Sequence, residues 1–344
     1  MNKVFIFLLI SGLFLFVACA DEEQSVDYWS VDVPEYFPEM VYTIENNPVT
    51  KGGFELGRML FYEPKLSSDN TVSCANCHQP YLAFADPVHV LSVGVDNQKG
   101  TRNAPPIFNL AFQSHFFWDG GVNHVDFIPI NPIMNELEMN ESMSNVVQKV
   151  NQLPQYQAKF REVYGKDSIN GEEFLHAFSQ FLVMLVSDNA YYDQWMQGEY
   201  ELTEAELSGM QVYESKCADC HGTALFTDGS FRNNGLDAEF SKDKGRYTIT
   251  EYPDDEGKFK VPTLRNIELT APYMHDGRFE TLEEVLDHYD AGMVNSATLD
   301  PLLVQPNGEL GIPLSDQEKT DIIAFLHTLT DRDFVSDSRF FDPN

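Results

Sequence analysis

Two copies of one five-residue motif constrain this chain more than any other feature. Each copy holds two cysteines separated by two residues and followed at once by histidine, which is the attachment sequence for c-type haem. Thioether bonds from the cysteines fix the edge of the porphyrin, and the adjacent histidine is then placed to bind the iron. The residues are Cys74, Cys77 and His78 in CANCH, and Cys217, Cys220 and His221 in CADCH.

Other uses of a C-x-x-C pair fit these motifs less well. In zinc sites built from two such pairs, about 15 to 20 residues separate the pairs, whereas these two lie in opposite halves of the chain. Redox dithiols and disulfides do not require the histidine that follows each pair. The sequence therefore predicts two covalently bound haem c groups.

The first residues predict export. One lysine precedes an apolar run too short to span a membrane comfortably, and small residues follow, which is typical of a signal peptide over residues 1–18. The sequence FVAC resembles a lipobox, so Cys19 is expected to carry lipid; a plain signal peptide with an incidental cysteine is the alternative. Residues 19–50 would then form a tether and N-terminal extension of a periplasmic, membrane-anchored lipoprotein.

Net charge argues against one class of function. The 344 residues include 22 lysines and arginines against 54 aspartates and glutamates, a formal charge of −32. At that charge, binding to nucleic acid or to a bare anionic membrane surface is opposed at long range. Surface acids most often only solvate a protein, so the charge identifies no partner.

Helical patterns dominate the chain and predict an all-α fold with long loops. Three helices are expected to begin with capping boxes: Thr203 with Glu206, Thr281 with Glu284, and Ser315 with Glu318. Three more segments carry helical signals: 53–62, 146–164 with an interruption near Pro154, and 172–186.

The two haem motifs stand in similar halves. After each come Arg-Asn, an apolar stretch, an aromatic residue or methionine, and Asp-Gly, in TRNAPPIFNLAFQSHFFWDGG and TLRNIELTAPYMHDGR. This self-similarity indicates an internal duplication. With a boundary near Gly198, the haem domains are expected over 51–198 and 199–344.

The stretch HYDAGM holds three side chains that could bind the second iron. It ends a predicted helix that opens with a capping box at TLEE. In α-helical phase Tyr289 shares an apolar face with Leu282 and Leu286, whereas His288 lies on the polar side. Met293 follows the end of the helix, so its direction stays open.

Several motifs, taken in order, resemble the bacterial di-haem cytochrome c peroxidases, the group that includes MauG. The resemblance runs from about residue 52 to 330 through LGRMLFYEPKLSSDNTVSCANCH, KGTRNAPPIFN, FFWDG, LEMN, KCADCH, DKGRY and TLRNIELTAPYMHDG. It implies two all-α cytochrome-c-like domains, with peroxide reduced at the N-terminal haem and electrons received at the C-terminal one. Members are often dimers, so a homodimer is expected.

The resemblance also assigns roles to residues. Trp118 of FFWDG matches the tryptophan between the haems, and Glu138 of LEMN matches the acid that moves protons at the peroxide site. Tyr289 stands where most members have an axial methionine, as in MauG, so a low-potential C-terminal haem is expected, with its neighbours in HYDAGM as alternatives. An inter-haem calcium ion is implied, bound by Asn103 and the backbone oxygens of Thr270 and Pro272.

One departure from the resemblance concerns the open face of the N-terminal haem. Members that need prior reduction carry a histidine that blocks this haem in the loop before QKG, and the matching residue here is Val95, which cannot bind iron. His89, a few residues upstream, is the alternative ligand. We expect a five-coordinate or water-bound N-terminal haem that needs no reductive activation.

The haem propionates also need partners. A guanidinium binds a carboxylate through two parallel hydrogen bonds. The candidate propionate partners are Arg102, Arg246 and Arg265.

Three functions remain open on the sequence. The first is a peroxidase that reduces hydrogen peroxide with electrons from a small donor protein, such as a cytochrome c or a cupredoxin-like protein. The second is a MauG-like oxidase with a protein substrate, which Tyr289 favours. The third is a di-haem electron carrier, which requires both irons to be capped and which Val95 argues against.

Overall fold

The computed structural model describes residues 26–86 and 88–343, so the predicted signal peptide and Cys19 lie outside the described residues. Helices, short 3₁₀ turns and long loops make up this part of the chain. The first half contains α1 Lys51–Phe61, α2 Ile130–Met134, α3 Met143–Asn151, α4 Pro154–Tyr164, α5 Gly171–Leu182 and α6 Tyr191–Met196. The second contains α7 Glu204–Lys216, α8 Ala218–His221, α9 Tyr247–Thr250, α10 Leu282–Asp287, α11 Asp316–His327 and α12 Arg332–Ser336.

Strands are few, as the sequence predicts. Within the described residues, β1 (Phe231–Arg232) and β2 (Phe259–Lys260) form one antiparallel pair in which Phe231 lies opposite Lys260. None of the helices described is long and apolar enough to cross a membrane.

A pair of long helices forms the centre of each half. α1 packs against α5, and α7 packs against α11. A Cβ added to Gly57 would lie 2.0 Å from the carbonyl oxygen of Ala177, and one added to Gly209 would lie 1.9 Å from that of Asp321. Each crossing therefore needs glycine on the helix that precedes a haem motif, and this equivalence agrees with the predicted duplication.

The helix starts that capping boxes mark are confirmed. Thr203, Thr281 and Ser315 each accept a hydrogen bond from the backbone of the glutamate three residues on, and that glutamate bonds back. The region 146–164 divides at the proline, because Pro154 begins a new helix. Other helix ends differ from the expectation by a few residues.

Two hydrophobic cores accompany the two helix pairs, but the second half of the chain contributes to both. Phe334 and Phe340, near the end of the chain, belong to the core of the first half. Their rings lie 5.8 Å and 6.2 Å from that of Phe84, and the Phe340 carbonyl oxygen accepts a hydrogen bond from the Tyr62 hydroxyl at 2.7 Å. The boundary expected near residue 198 thus separates the helix pairs but not the cores.

A buried ion pair also joins the halves. The guanidinium of Arg265 donates two hydrogen bonds to the Asp193 carboxylate, at 2.7 and 2.8 Å, and both side chains are 0% exposed. The Arg265 guanidinium also lies 4.8 Å from the centre of the Phe37 ring. A bidentate pair of this kind fixes the relative position of the two segments.

Candidate haem pockets

Each C-x-x-C-H motif opens onto a large pocket. We call the pocket lined by Cys74, Cys77 and His78 the N-terminal pocket. The C-terminal pocket is lined in the same way by Cys217, Cys220 and His221. All four cysteines are free thiols, so each motif retains the two sulfur atoms that haem attachment requires.

Both motif histidines have one ring nitrogen held by the backbone. His78 Nδ1 lies 3.0 Å from the Phe84 carbonyl oxygen, and His221 Nδ1 lies 3.2 Å from that of Pro262. With the proton on Nδ1 donated to that carbonyl, the Nε2 lone pair of each ring is free to bind a metal. Burial lowers the pKa of both rings, which favours the neutral form that binds iron. The residues present therefore fit two haem groups.

Trp118 lies in the wall that separates the pockets and lines both of them. Its indole N–H donates to the Asn103 carbonyl oxygen at 2.9 Å, and its own carbonyl oxygen accepts from the Lys260 N–H at 2.7 Å. These bonds fix the ring between the two sites. Trp118 is thus in contact with both pockets; its role as the bridging aromatic stays a prediction.

Glu138 lies in the N-terminal pocket, unlike the other acids of its loop. Its Oε1 accepts a hydrogen bond from Asn135 Nδ2 at 2.8 Å. Burial raises the pKa of the Glu138 carboxyl above its ordinary value, and the bond from Asn135 opposes the rise only in part. By contrast, Glu136 is exposed, and Glu141 pairs with Lys149 at 2.7 Å.

The loop that would carry a blocking histidine is packed beneath Glu138. Val95 is 1% exposed, and its N–H donates to the Glu138 carbonyl oxygen at 2.8 Å. His89 lies near the surface, where its Nδ1 is 2.9 Å from Asp86 Oδ2. Neither side chain lines the N-terminal pocket, so among the described residues neither is placed to cap its iron.

Of the three candidates in HYDAGM, Tyr289 alone lines the C-terminal pocket. Met293 is buried at 8% exposure outside the pocket lining. The expectation that His288 lies on the polar side is wrong: the ring is 6% exposed, and its Nε2 is 3.0 Å from the Asn234 carbonyl oxygen. The cause is tertiary, because the backbone of His288 is still α-helical and its ring packs against the loop that carries Asn234 and against the Phe279 ring, 5.6 Å away.

The sequence does not single out two residues near Tyr289, which are Met274 and Asn234. Met274 also lines the C-terminal pocket, with its sulfur 3.4 Å from Asn234 Nδ2. Burial raises the pKa of the Tyr289 hydroxyl to about 12, and a hydrogen bond with the Asn234 side chain opposes this. A metal ion beside the oxygen would supply the positive charge needed to ionise it. The contacts of Asn234 with Met274 and with Tyr289 join separate loops, so no local sequence pattern predicts them.

Comparisons with known proteins agree with this arrangement. The family model described as di-haem cytochrome c peroxidase matches residues 51–201. The methylamine utilization protein MauG of Methylorubrum extorquens is 35% identical over 296 residues, which are 85% of this chain and 82% of that protein. The chain belongs to the di-haem cytochrome c peroxidase family.

Other members of the family are similarly close. Cytochrome c551 peroxidase of Nitrosomonas europaea is 33% identical, over 80% of this chain and 79% of that protein. The chain is 34% identical in sequence to a MauG-like protein associated with microbial copper homeostasis. The crystal structure of that protein matches this fold with a TM-score of 0.83, over 92% of this chain and 99% of that one. Membership of this family implies haem c and oxidoreductase activity.

The three arginines expected to meet haem propionates have other partners. Arg102 lines the N-terminal pocket but pairs with Asp119 at 2.6 Å and with Asp243 at 2.7 Å. Arg246 donates to two backbone carbonyl oxygens, at 2.8 and 2.9 Å, and lies outside both pocket linings. Arg265 is held in the buried pair with Asp193, also outside both linings. The guanidinium group alone does not indicate which oxygen atoms each arginine contacts in the fold.

The residues expected to bind calcium lie together along the C-terminal pocket. Asn103, Thr270 and Pro272 all line it, and the Asn103 Nδ2 donates to the Val90 carbonyl oxygen at 3.1 Å. Within the described residues no group of three or more histidine, cysteine or acidic side chains is arranged to hold a metal. A calcium ion here would therefore depend on neutral oxygens and water.

Proposed function

We propose that this protein is a di-haem c-type peroxidase that reduces hydrogen peroxide to water, with one haem attached in each pocket of two cytochrome-c-like domains. The observation that carries the proposal is a difference between the pockets. Among the carboxyl groups that line them, Asp119 and Asp300 pair with arginines, whereas Glu138 has no cationic partner among the residues described. A half-buried carboxyl group with no cationic partner and a raised pKa suits proton transfer near neutral pH.

Glu138 performs the proton transfer in this proposal. Its carboxylate takes the proton from one oxygen of hydrogen peroxide and donates it to the other, which leaves as water. The bound haem supplies the iron at which the O–O bond is broken and the electrons for that cleavage. Over the full reaction one peroxide, two protons and two electrons give two water molecules, and Glu138 is regenerated.

Trp118 connects the two pockets in this proposal. Electrons arrive one at a time from a small donor protein, of the cytochrome c or cupredoxin-like class, at the C-terminal pocket. Because the indole lines both pockets, it offers the short aromatic contact through which they reach the N-terminal pocket. Val95 and His89 both lie outside the N-terminal pocket lining, which supports activity without prior reduction.

The second candidate is a MauG-like oxidase that acts on another protein. Tyr289, which lines the C-terminal pocket, favours it, because a tyrosinate ligand stabilises ferric iron and lowers the potential at which electrons are accepted. A donor of ordinary potential would then reduce the C-terminal haem poorly.

One experiment separates these functions from a simple electron carrier. Stoichiometric hydrogen peroxide is added to the oxidised protein, the optical spectrum is followed, and reduced cytochrome c is then added. Turnover with the cytochrome supports the peroxidase. A lasting spectral change without turnover supports the oxidase, and no response supports the carrier and refutes the proposal.

The proposal extends to location and to the inter-haem ion. The protein is exported and anchored by lipid at Cys19. Calcium is bound by Asn103 and by the backbone carbonyl oxygens of Thr270 and Pro272. Labelling with a radioactive fatty acid, lost in Cys19→Ser, tests the anchor. Metal analysis of purified protein before and after dialysis against a chelator tests the ion. Sedimentation tests the homodimer expected from the resemblance.

A further inference from the structure

Lys260 is a half-buried cation in the wall between the two pockets. It ends β2, and its backbone N–H donates to the Trp118 carbonyl oxygen at 2.7 Å. Like Trp118, its side chain lines both pockets. Whatever occupies the pockets therefore meets this ammonium group beside the aromatic ring that connects them.

The charge of Lys260 is not neutralised by the described part of the protein. Its Nζ donates to Gln113 Oε1 at 2.6 Å and to the His115 carbonyl oxygen at 3.0 Å, both uncharged acceptors. Among the ion pairs of the described residues, none includes Lys260. Burial alone lowers the pKa of the ammonium group to about 8. An ammonium group has three N–H donors, so one remains without a partner in the described part of the chain.

A half-buried cation without a counter-ion costs free energy, and the cost grows if a bound cofactor excludes the remaining water. Arg102 and Arg265 are less available than Lys260 to bind such an anion, because both already pair with aspartates. A haem bound in either pocket would bring carboxylates, its propionates, into a space that Lys260 borders.

We infer that Lys260 donates its remaining N–H to a haem propionate at the wall between the pockets, and so holds a positive charge beside both haems and Trp118. This inference rests on haem occupying the pockets, as in the proposed function. A nearby positive charge favours the ferrous over the ferric state, so it raises the reduction potential of the haem whose propionate it binds.

The test compares Lys260→Met with Lys260→Arg and with the control Lys258→Met. Lys258 lies two residues away and pairs at 3.5 Å with Asp255. Haem content is measured first; if Lys260→Met takes up haem poorly, Lys260→Gln, which lacks the charge but keeps an N–H donor, replaces it. The readouts are the midpoint potentials of both haems by spectroelectrochemistry and the propionate bending band in resonance Raman spectra.

In Lys260→Met we expect at least one midpoint potential to fall by about 59 mV or more, a tenfold change in the one-electron equilibrium, together with a shifted propionate band. Lys260→Arg should keep both values near those of the wild type, and so should Lys258→Met. Unchanged potentials and an unchanged band in haem-loaded Lys260→Met would overturn the inference. Neither readout depends on peroxide turnover, so failure here is distinct from failure of the proposed function.

Discussion

Replacing Glu138 with glutamine should remove most of the reaction with peroxide while leaving the fold intact. The new amide keeps the size of the side chain, and the Val95 hydrogen bond uses the backbone oxygen, which the substitution does not alter. General acid–base catalysis contributes about 10²- to 10⁴-fold, so the rate constant for peroxide should fall at least about 100-fold, or about 2.7 kcal/mol in the barrier. Stopped-flow absorbance of the oxidised protein mixed with peroxide measures it.

The pH dependence gives a second readout of the same residue. Because burial raises the pKa of Glu138, the wild-type rate should begin to fall, as pH decreases, above the pH at which an ordinary glutamate of pKa about 4.3 would be protonated. Asn135→Ala removes a hydrogen bond that lowers this pKa, so it should move the acidic limb to still higher pH. The limb should be absent in Glu138→Gln.

The thermal stability of Glu138→Gln provides a check on the role assigned to Glu138. A carboxyl group whose pKa is raised in the folded state destabilises the fold when ionised, and that cost disappears as the pH falls through the folded pKa. Glu138→Gln should therefore keep or raise the Tm at pH 7. Glu136→Gln, on the same loop but exposed, is the matched control and should retain the wild-type rate. A Glu138→Gln protein with full haem content and a rate within threefold of wild type would refute the catalytic role.

Four further substitutions test the other residues of the site and the buried ion pair. Tyr289→Phe should change the absorption spectrum of the C-terminal haem, whereas Met293→Leu should not; the opposite pattern would move the ligand to Met293. Trp118→Phe should slow electron transfer between the haems at least about tenfold, seen as delayed reoxidation of the C-terminal haem after peroxide is added to half-reduced protein, with peroxide still consumed at the N-terminal haem. Asp193→Asn leaves the buried Arg265 charge without its partner, so the free energy of unfolding in urea should fall by about 3 to 5 kcal/mol, and a change under 1 kcal/mol would contradict the importance of that pair.

The parts of the structure that sequence predicted correctly are local. A capping box is decided within four residues, so Thr203, Thr281 and Ser315 could be identified without knowledge of the fold. A C-x-x-C-H motif likewise places its own histidine. Trp118 and Glu138 depended on resemblance, since nothing in their immediate sequence distinguishes them from a packing aromatic and a surface acid.

The parts that sequence could not predict depend on distant segments. The helical pattern places His288 on the polar side, but the distant loop that carries Asn234 covers its ring. The partners of Arg102 come from two separate loops, and guanidinium chemistry does not distinguish aspartate from propionate. No sequence pattern singles out Lys260. Its significance is that the described residues around it include no anion, and only the assembled fold reveals this.

The packing of Phe334 and Phe340 into the first core has a consequence for how the protein is made. Domains generally fold with the N-terminal one first, yet the core of the first half includes residues that follow even the second haem motif in the chain. This core therefore cannot be completed until the second half of the chain has been synthesised. Because Cys74 packs against this core, the first haem motif stays less enclosed, and its cysteines more accessible for haem attachment, until the second half of the chain is in place.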